Sequence, residues 1–94
     1  MVAFWIAHVT VTDEEVYGEY AKRATKAVQG HGGRFLARGG RHVTKEGTDH
    51  ARNVVAEFPS FEAAVGCYES PEYQEALTYA LRSSERHLSI VEGA

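Results

Sequence analysis

Cysteine is almost absent from the sequence, which contains Cys67 alone. A single thiol excludes a disulfide within the chain and a metal site built from several thiolates of one chain. No helix start or neighbouring base accompanies Cys67, so we predict a buried, unreactive thiol. Scarcity of cysteine pairs is typical of a reducing compartment, and we expect the protein in the cytoplasm.

Excess positive charge and long apolar runs are also missing. The chain has 13 acidic and 10 basic residues, a formal net charge of −3 at pH 7. This balance gives no electrostatic case for a nucleic-acid partner. The most apolar stretch, residues 2–11, is too short to cross a bilayer, is interrupted by His8 and has no basic leader. We therefore predict neither a nucleic-acid nor a membrane partner.

The remaining composition is that of an ordinary globular protein. Of the 94 residues, 44% are hydrophobic and 24% are charged, which predicts a single domain over residues 1–94. A domain of this size buries only about two thirds of the surface of its unfolded chain, so self-association would add useful burial.

Periodicity and turn residues divide the chain into strands and helices. Strands are predicted over residues 2–11, 34–38, 52–58 and 88–91, and the second strand is predicted to resume over residues 41–45. A helix is predicted between Thr12, as its N-cap, and Gly30. Ser60 and Ser70 are predicted to cap two further helices.

The first strand is apolar on both of its alternating faces, so both faces of the sheet need cover. One small domain has helices for one face only. With right-handed crossovers, this predicts an α+β fold: a ferredoxin-like βαββαβ antiparallel sheet in the order 4-1-3-2, with helices on one face. A second copy would cover the other face and complete a dimeric α/β barrel.

Several short motifs occur in a characteristic order. They are Gly32-Gly33-Arg34-Phe35-Leu36, Arg38-Gly39-Gly40, Glu46-Gly47, Glu57-Phe58-Pro59-Ser60, Tyr68 and Ser70-Pro71-Glu72-Tyr73. The combination resembles the small bacterial family called domain of unknown function thirteen-thirty, of the dimeric α/β-barrel superfamily. The resemblance implies the fold and the dimer. It does not select a reaction, because related barrels include cofactor-free monooxygenases, haem-degrading enzymes, and dehalogenating or isomerising enzymes.

Four polar residues are predicted to meet at one end of the sheet. If strand one runs antiparallel to strand four and parallel to strand three, His8 lies near His87 and Glu57. The hairpin of strands two and three would place Arg38 roughly opposite Glu57. In such a cluster His8 or His87 transfers a proton near neutral pH. Glu57 orients the substrate or acts as a base, and Arg38 holds an anionic or carbonyl group. Alternatively, Arg38 and Glu57 form a cross-strand ion pair and the histidines lie at the barrel rim.

Tyr20, Tyr68 and Arg82 are candidate ligand contacts. Tyr20 and Tyr68 fall on apolar helical stripes, so core packing is the alternative role. For Arg82 the alternative is a solvated cation at a helix C-terminus. We predict no metal and no cofactor. Two histidines and a carboxylate match the composition of a non-haem iron site, but no two histidines stand at i, i+4 spacing.

The sequence therefore predicts a cytoplasmic homodimer, associating through the sheet face, that binds a small organic molecule in a cavity between sheet and helices. Cofactor-free acid–base or oxygenase-like chemistry is the activity that this fold superfamily suggests. The competing hypothesis is a non-enzymatic structural or regulatory homodimer, in which the polar cluster only fixes the interface.

Overall fold

The computed structural model describes all residues, 1–94, and contains four strands and three helices. In chain order the elements are β1 (Ala3–Val11), α1 (Glu14–Gly30), β2 (Arg34–Arg38), β3 (Arg52–Phe58), α2 (Phe61–Glu69), α3 (Pro71–Ser83) and β4 (Ser84–Glu92).

The strands form one sheet in the order β2-β3-β1-β4, which confirms the predicted ferredoxin-like order. All neighbouring strands are antiparallel, including β1 and β3. The prediction that β1 runs parallel to β3 is therefore wrong. The crossover through α1 leaves β2 running in the direction of β1, and the β2–β3 connection then reverses the chain. Strand β3 consequently runs against β1, which moves its last residues to the opposite end of the sheet.

Alternation along β1 separates two unlike faces of the sheet. Ala3, Trp5, Ala7 and Val9 are buried against the helices, as expected for a sheet with helical cover on one side. We call the opposite side the uncovered face. It carries the other side chains of β1 and those that pair with them: Phe4, Ile6 and His8 of β1, Val91, Ser89 and His87 of β4, and Glu57, Val55 and Asn53 of β3.

Short polar side chains begin each helix. Ser60 and Ser70 each accept a hydrogen bond from the amide three residues further on, which confirms both as N-caps. Helix α1 is capped by Asp13 rather than by Thr12, because Thr12 still belongs to the extended chain and its amide bonds to Ser83. At the other end the helix includes Gly30, and Gly32, with a φ of 80°, turns the chain towards β2.

Two segments differ from the sequence-based prediction. Strand β4 begins at Ser84, four residues earlier than predicted, because its polar start pairs with the end of β1. Residues 41–45 lie in an irregular loop rather than in a strand. The chain leaves β2 at Gly39, whose φ of 73° turns it out of the sheet. No helix of the protein combines the length and apolar character needed to cross a membrane.

Cys67 is fully buried between the helices, with its Sγ 3.5 Å from the carbonyl oxygen of Ala27. Burial, with a smaller contribution from the Glu72 carboxylate, raises the pKa of the Cys67 thiol to about 12. Because only the thiolate is nucleophilic, we expect the native chain to react with a thiol-specific disulfide reagent at pH 8 about a thousandfold more slowly than the chain unfolded in urea. Absorbance of the released thiolate measures both rates. Equal rates in the two states would show that the thiol is accessible.

Candidate functional site

A small cavity lies between the sheet and α1. Its volume is about 40 Å³, and most of its lining is apolar. Apolar walls are formed by Trp5, Ala7, Val9, Ala24, Val28 and Leu88, and polar groups by Tyr17, Tyr20, Thr25, Arg38, Arg52 and Arg86. We call this space the central cavity.

The central cavity follows from the residue types on its two walls. Large side chains such as Trp5 stand on the strand side, but Ala7 interrupts them. On the helix side Ala21 and Ala24, three residues apart, lie on one face of α1. Small side chains on both walls prevent the layers from interdigitating fully, which leaves a gap in an otherwise close-packed core.

Two phenols and one guanidinium form a network beside the central cavity, which is lined by Tyr20 and Arg86 but not by Tyr73. The hydroxyl oxygens of Tyr20 and Tyr73 are 2.9 Å apart, and both phenols are buried. Arg86 donates from Nη2 to each hydroxyl, at 3.2 Å in both cases. Its guanidinium also lies 4.8 Å from the centroid of the Tyr20 ring.

Tyr73 and Tyr17 stay protonated at neutral pH. Burial raises the pKa of Tyr73 well above its usual range, and the neighbouring Tyr20 adds to this shift. Burial also raises the pKa of Tyr17. These phenols therefore act as hydrogen-bond donors rather than as phenolate bases.

Two further arginines complete the polar lining. Arg52 on β3 lies with its guanidinium carbon 5.5 Å from the centroid of the Tyr17 ring. Arg38, at the end of β2, donates to Thr25 Oγ1 at 3.1 Å and lies 4.2 Å from the centroid of the Phe35 ring. Arg38 is exposed, whereas Arg52 and Arg86 are half-buried, so the arginines lead from the surface towards the interior.

His8 and His87 are brought together as predicted. They are directly paired across β1 and β4, on the uncovered face, which is the side of the sheet opposite the central cavity. His8 Nδ1 is 2.6 Å from Asn53 Oδ1. A third histidine, His50, comes from the β2–β3 loop, with ring centroids 6.4 Å from His8 and 5.6 Å from His87.

These histidines line a second, wider cavity of about 620 Å³ beneath the loop that joins β2 to β3. His42 also reaches it and is 3.2 Å from Asp49. No group of three histidine, cysteine or acidic side chains is arranged to hold a metal ion.

Glu57 and Arg38 do not join the histidines, so the predicted convergence of four residues is wrong. Glu57 pairs with Phe4, at the far end of the sheet from His8, because β3 runs against β1. Its cross-strand partner is Arg34, at 3.3 Å, rather than Arg38. Arg38 lies at the histidine end of the sheet, opposite Val54, but lines the central cavity on the helix side.

The three candidate ligand contacts are also separated. Tyr20 lines the central cavity. Tyr68 packs in the core, with ring centroids 5.1 Å from Tyr73 and 6.0 Å from Trp5. Arg82 is exposed and lies over the ring of Tyr79, at 5.1 Å from its centroid. Neither Tyr68 nor Arg82 lines the central cavity.

Sequence reasoning missed Arg52, Arg86, Tyr17 and Tyr73 as site residues. A signal was present for the arginines. Arg52 stands two residues before Val54 on β3, and Arg86 stands two residues before Leu88 on β4, so the period of two places both on a buried face. The late predicted start of β4 concealed this alternation for Arg86.

A comparison with models of protein families assigns this chain to a family. The model of the family described as Domain of unknown function (DUF1330) matches residues 2–94. The chain belongs to this family. The family is the one that the Gly32-Gly33 and Ser70-Pro71 motifs indicated, so the resemblance is confirmed over nearly the whole chain. No curated protein matches this DUF1330 chain.

Several solved structures share the fold of this DUF1330 protein. The RPA0582 protein of unknown function from Rhodopseudomonas palustris superposes with a TM-score of 0.81 at 18% identity, over 99% of this chain and 82% of that one. SnoaB from Streptomyces nogalater, a cofactor-independent oxygenase, gives a TM-score of 0.71 at 12% identity, over 99% and 93%. A dimeric protein of unknown function with a ferredoxin-like fold from Bacteroides fragilis gives 0.56 at 13% identity, over 98% and 96%. At these identities the similarity shows the ferredoxin-like fold alone.

Proposed function

We propose that this DUF1330 protein is a cytoplasmic homodimer that binds a small organic molecule in the central cavity. We further propose that it acts on this molecule without a cofactor, by acid–base or oxygenase-like chemistry. The central cavity is the observation that carries the proposal. Apolar walls with a few convergent polar groups are the usual composition of a small-molecule site.

The chemistry is suggested by the network of Tyr20, Tyr73 and Arg86. Tyr20 and Arg86 line this largely apolar space, and both carry groups that can donate hydrogen bonds; Tyr73 lies behind them and bonds to each. Donors arranged in this way stabilise negative charge that develops on a substrate oxygen, as in an enolate. Electron-rich anions of this kind are the species that react with dioxygen without a metal. The cofactor-independent oxygenase SnoaB has the same fold, which supports this class of chemistry.

His8 and His87 could transfer protons only to a molecule bound in the second cavity, which they line. The sheet separates their side chains from the central cavity, so neither can reach a molecule bound there. No histidine or carboxylate lines that space. A substrate of the central cavity must therefore be acidic enough to lose its proton to water, or arrive already ionised.

The homodimer is supported by the uncovered face. Phe4, Ile6 and Val55 are only half-buried there, and Val91 is 44% exposed. A contiguous apolar patch on a sheet with no helical cover is typical of a protein–protein interface. The Bacteroides fragilis protein of similar fold is dimeric. A second copy, which presents the same face, is the partner we propose.

Filling the central cavity should abolish ligand binding. In Ala24→Met the flexible side chain would occupy the space, so ligands that raise the melting temperature of the native protein should no longer do so. A thermal-shift screen of short-chain organic acids and ketones identifies the ligands. Mass spectrometry after incubation in air and under argon then shows whether a bound compound gains oxygen.

Lys26→Met is the matched control, because Lys26 is exposed on the same helix. This variant should keep every ligand-induced shift. A screen that finds no ligand would contradict binding in the central cavity, and so would melting-temperature shifts that persist in Ala24→Met. Loss of the dimer in variants of the uncovered face, without any ligand in the screen, would favour the non-enzymatic alternative.

A further inference from the structure

The three arginines at the central cavity have no acidic partner. Ion pairs elsewhere in the chain engage Lys22, Arg23, Arg34 and His42, but none involves Arg38, Arg52 or Arg86. The chain has 13 acidic residues and a net charge of −3, so acidic residues are not scarce. The concentration of unpaired positive charge in one small space is therefore a local property of the site.

Two donor atoms in this set are buried and unsatisfied. Arg86 Nη1 and Arg52 Nε each have less than 1 Å² of accessible surface and no hydrogen-bond partner within the protein. The donors of Arg86 that are satisfied bond only to neutral phenol oxygens, which do not compensate its charge. A buried charge without a counter-ion, like a buried donor without an acceptor, destabilises a fold. An unsatisfied buried donor calls for an explanation, and a group that bonds to it only when the site is occupied is one.

We infer that the central cavity binds the carboxylate of a small organic acid, held by Arg86 and Arg52, with its apolar chain against Trp5 and Leu88. This inference rests on the proposed function, because it names the class of molecule that the same cavity takes. The planar guanidinium forms parallel hydrogen bonds to a carboxylate, which suits it to this task better than a lysine.

The dimensions of the cavity restrict the acid to a short chain. A buried water needs roughly 10–15 Å³ and benzene occupies an engineered cavity of about 150 Å³, whereas the central cavity holds about 40 Å³. The enclosed part of the ligand therefore has only a few non-hydrogen atoms. Arg38, exposed at the rim, is placed to contact a second polar group of a longer acid.

The experiment compares butanoate with butanamide, which has the same shape and no charge. Isothermal titration at pH 7 should show butanoate binding at least about tenfold more tightly than butanamide. Arg86→Met should weaken butanoate binding by a similar factor or more. Arg41→Met is the control, since Arg41 is exposed and lines neither cavity, and it should bind butanoate as the native protein does.

The unliganded stability of Arg86→Met separates a ligand role from a structural one. Tyr20 and Tyr73 still bond to each other in this variant, and an unpaired buried charge is removed. We therefore expect its melting temperature without ligand to equal or exceed that of the native protein. A large loss of stability would show that Arg86 holds the fold together, and Arg86→Lys, which keeps the charge, should then still bind butanoate more tightly than butanamide if the inference is correct.

Three results would overturn the inference. Equal binding of butanoate and butanamide would show that charge is irrelevant, while the proposed binding of small molecules in the cavity would stand. If neither butanoate nor butanamide bound, but the thermal-shift screen found a neutral ligand, the carboxylate inference would again be wrong and the proposed binding function would stand. Failure of both probes and of the whole screen would remove the inference and the proposed function together.

Discussion

Ile6→Lys is expected to convert the protein from a dimer into a monomer. Ile6 is central in the uncovered face, between Val55 of β3 and Ser89 of β4. In the proposed dimer a lysine there would be buried against the partner without a counter-charge. We expect the effect of a hot-spot substitution at the centre of an interface, a weakening of association by about 30-fold or more. Sedimentation velocity over a range of protein concentrations measures the change.

The fold itself should survive this substitution. Ile6 is only half-buried in the isolated chain, so the lysine stem can lie along the sheet while its ammonium reaches water. Circular dichroism and the melting temperature test this expectation. Gln29→Lys adds the same charge on the exposed side of α1 and should leave the dimer intact. A native protein that sediments as a monomer, or an Ile6→Lys variant that remains dimeric, would contradict the proposed interface.

Most of the fold was predictable because local sequence and tertiary structure agree. The alternation of β1, the caps at Ser60 and Ser70 and the helical stripe of α1 each predict the element that forms. Right-handed crossovers leave few sheet orders for two βαβ units, and the predicted order is the one found. Where polar residues begin an element, as at Ser84 in β4, local pattern fails because strand pairing decides the structure.

The site was harder to predict because it depends on strand direction and on side-chain parity. The sequence-based prediction took β3 as parallel to β1, whereas the two strands are antiparallel. This one error placed Glu57 beside His8 instead of at the far end of the sheet. One bulge in β2, between Phe35 and Ala37, sets the face on which Arg38 lies. Neither feature has a periodic signature in the sequence. A sheet changes the face of every following side chain when its register shifts by one residue.

The arginines illustrate a second difficulty. A basic residue in a strand is ordinarily assigned to the solvent, and Arg52 and Arg86 break this expectation by facing the core side. Residues that contradict the pattern of their own element are expected at functional or strained sites. In this chain Arg86 faces the helices but has no acidic partner. We regard this feature as a better guide to the proposed site than the histidines, which are the more obvious candidates in the sequence.

Trp5→Ala should be the most destabilising change in the core. Trp5 is only 5% exposed. The centroid of its ring lies 5.1 Å from that of Phe58 and 4.9 Å from that of Tyr73. Trp5 Nε1 also donates to the Ala64 carbonyl at 2.9 Å, which ties β1 to α2. Truncation of a buried tryptophan costs about 3–5 kcal/mol of unfolding free energy. Because Trp5 is the only tryptophan, urea unfolding must be followed by circular dichroism rather than by fluorescence.

Trp5→Phe separates packing from the hydrogen bond. Phenylalanine keeps much of the apolar contact but cannot donate to the Ala64 carbonyl, for which we expect a loss of about 1 kcal/mol. The predicted order of stability is native, then Trp5→Phe, then Trp5→Ala. Trp5 also forms a wall of the central cavity, so Trp5→Ala enlarges that space while it weakens the fold. If Trp5→Ala cost no more unfolding free energy than Trp5→Phe, aromatic packing between sheet and helices would not be the main contribution of Trp5 to stability. The residues around the central cavity would then have to rearrange to fill the space that the indole leaves.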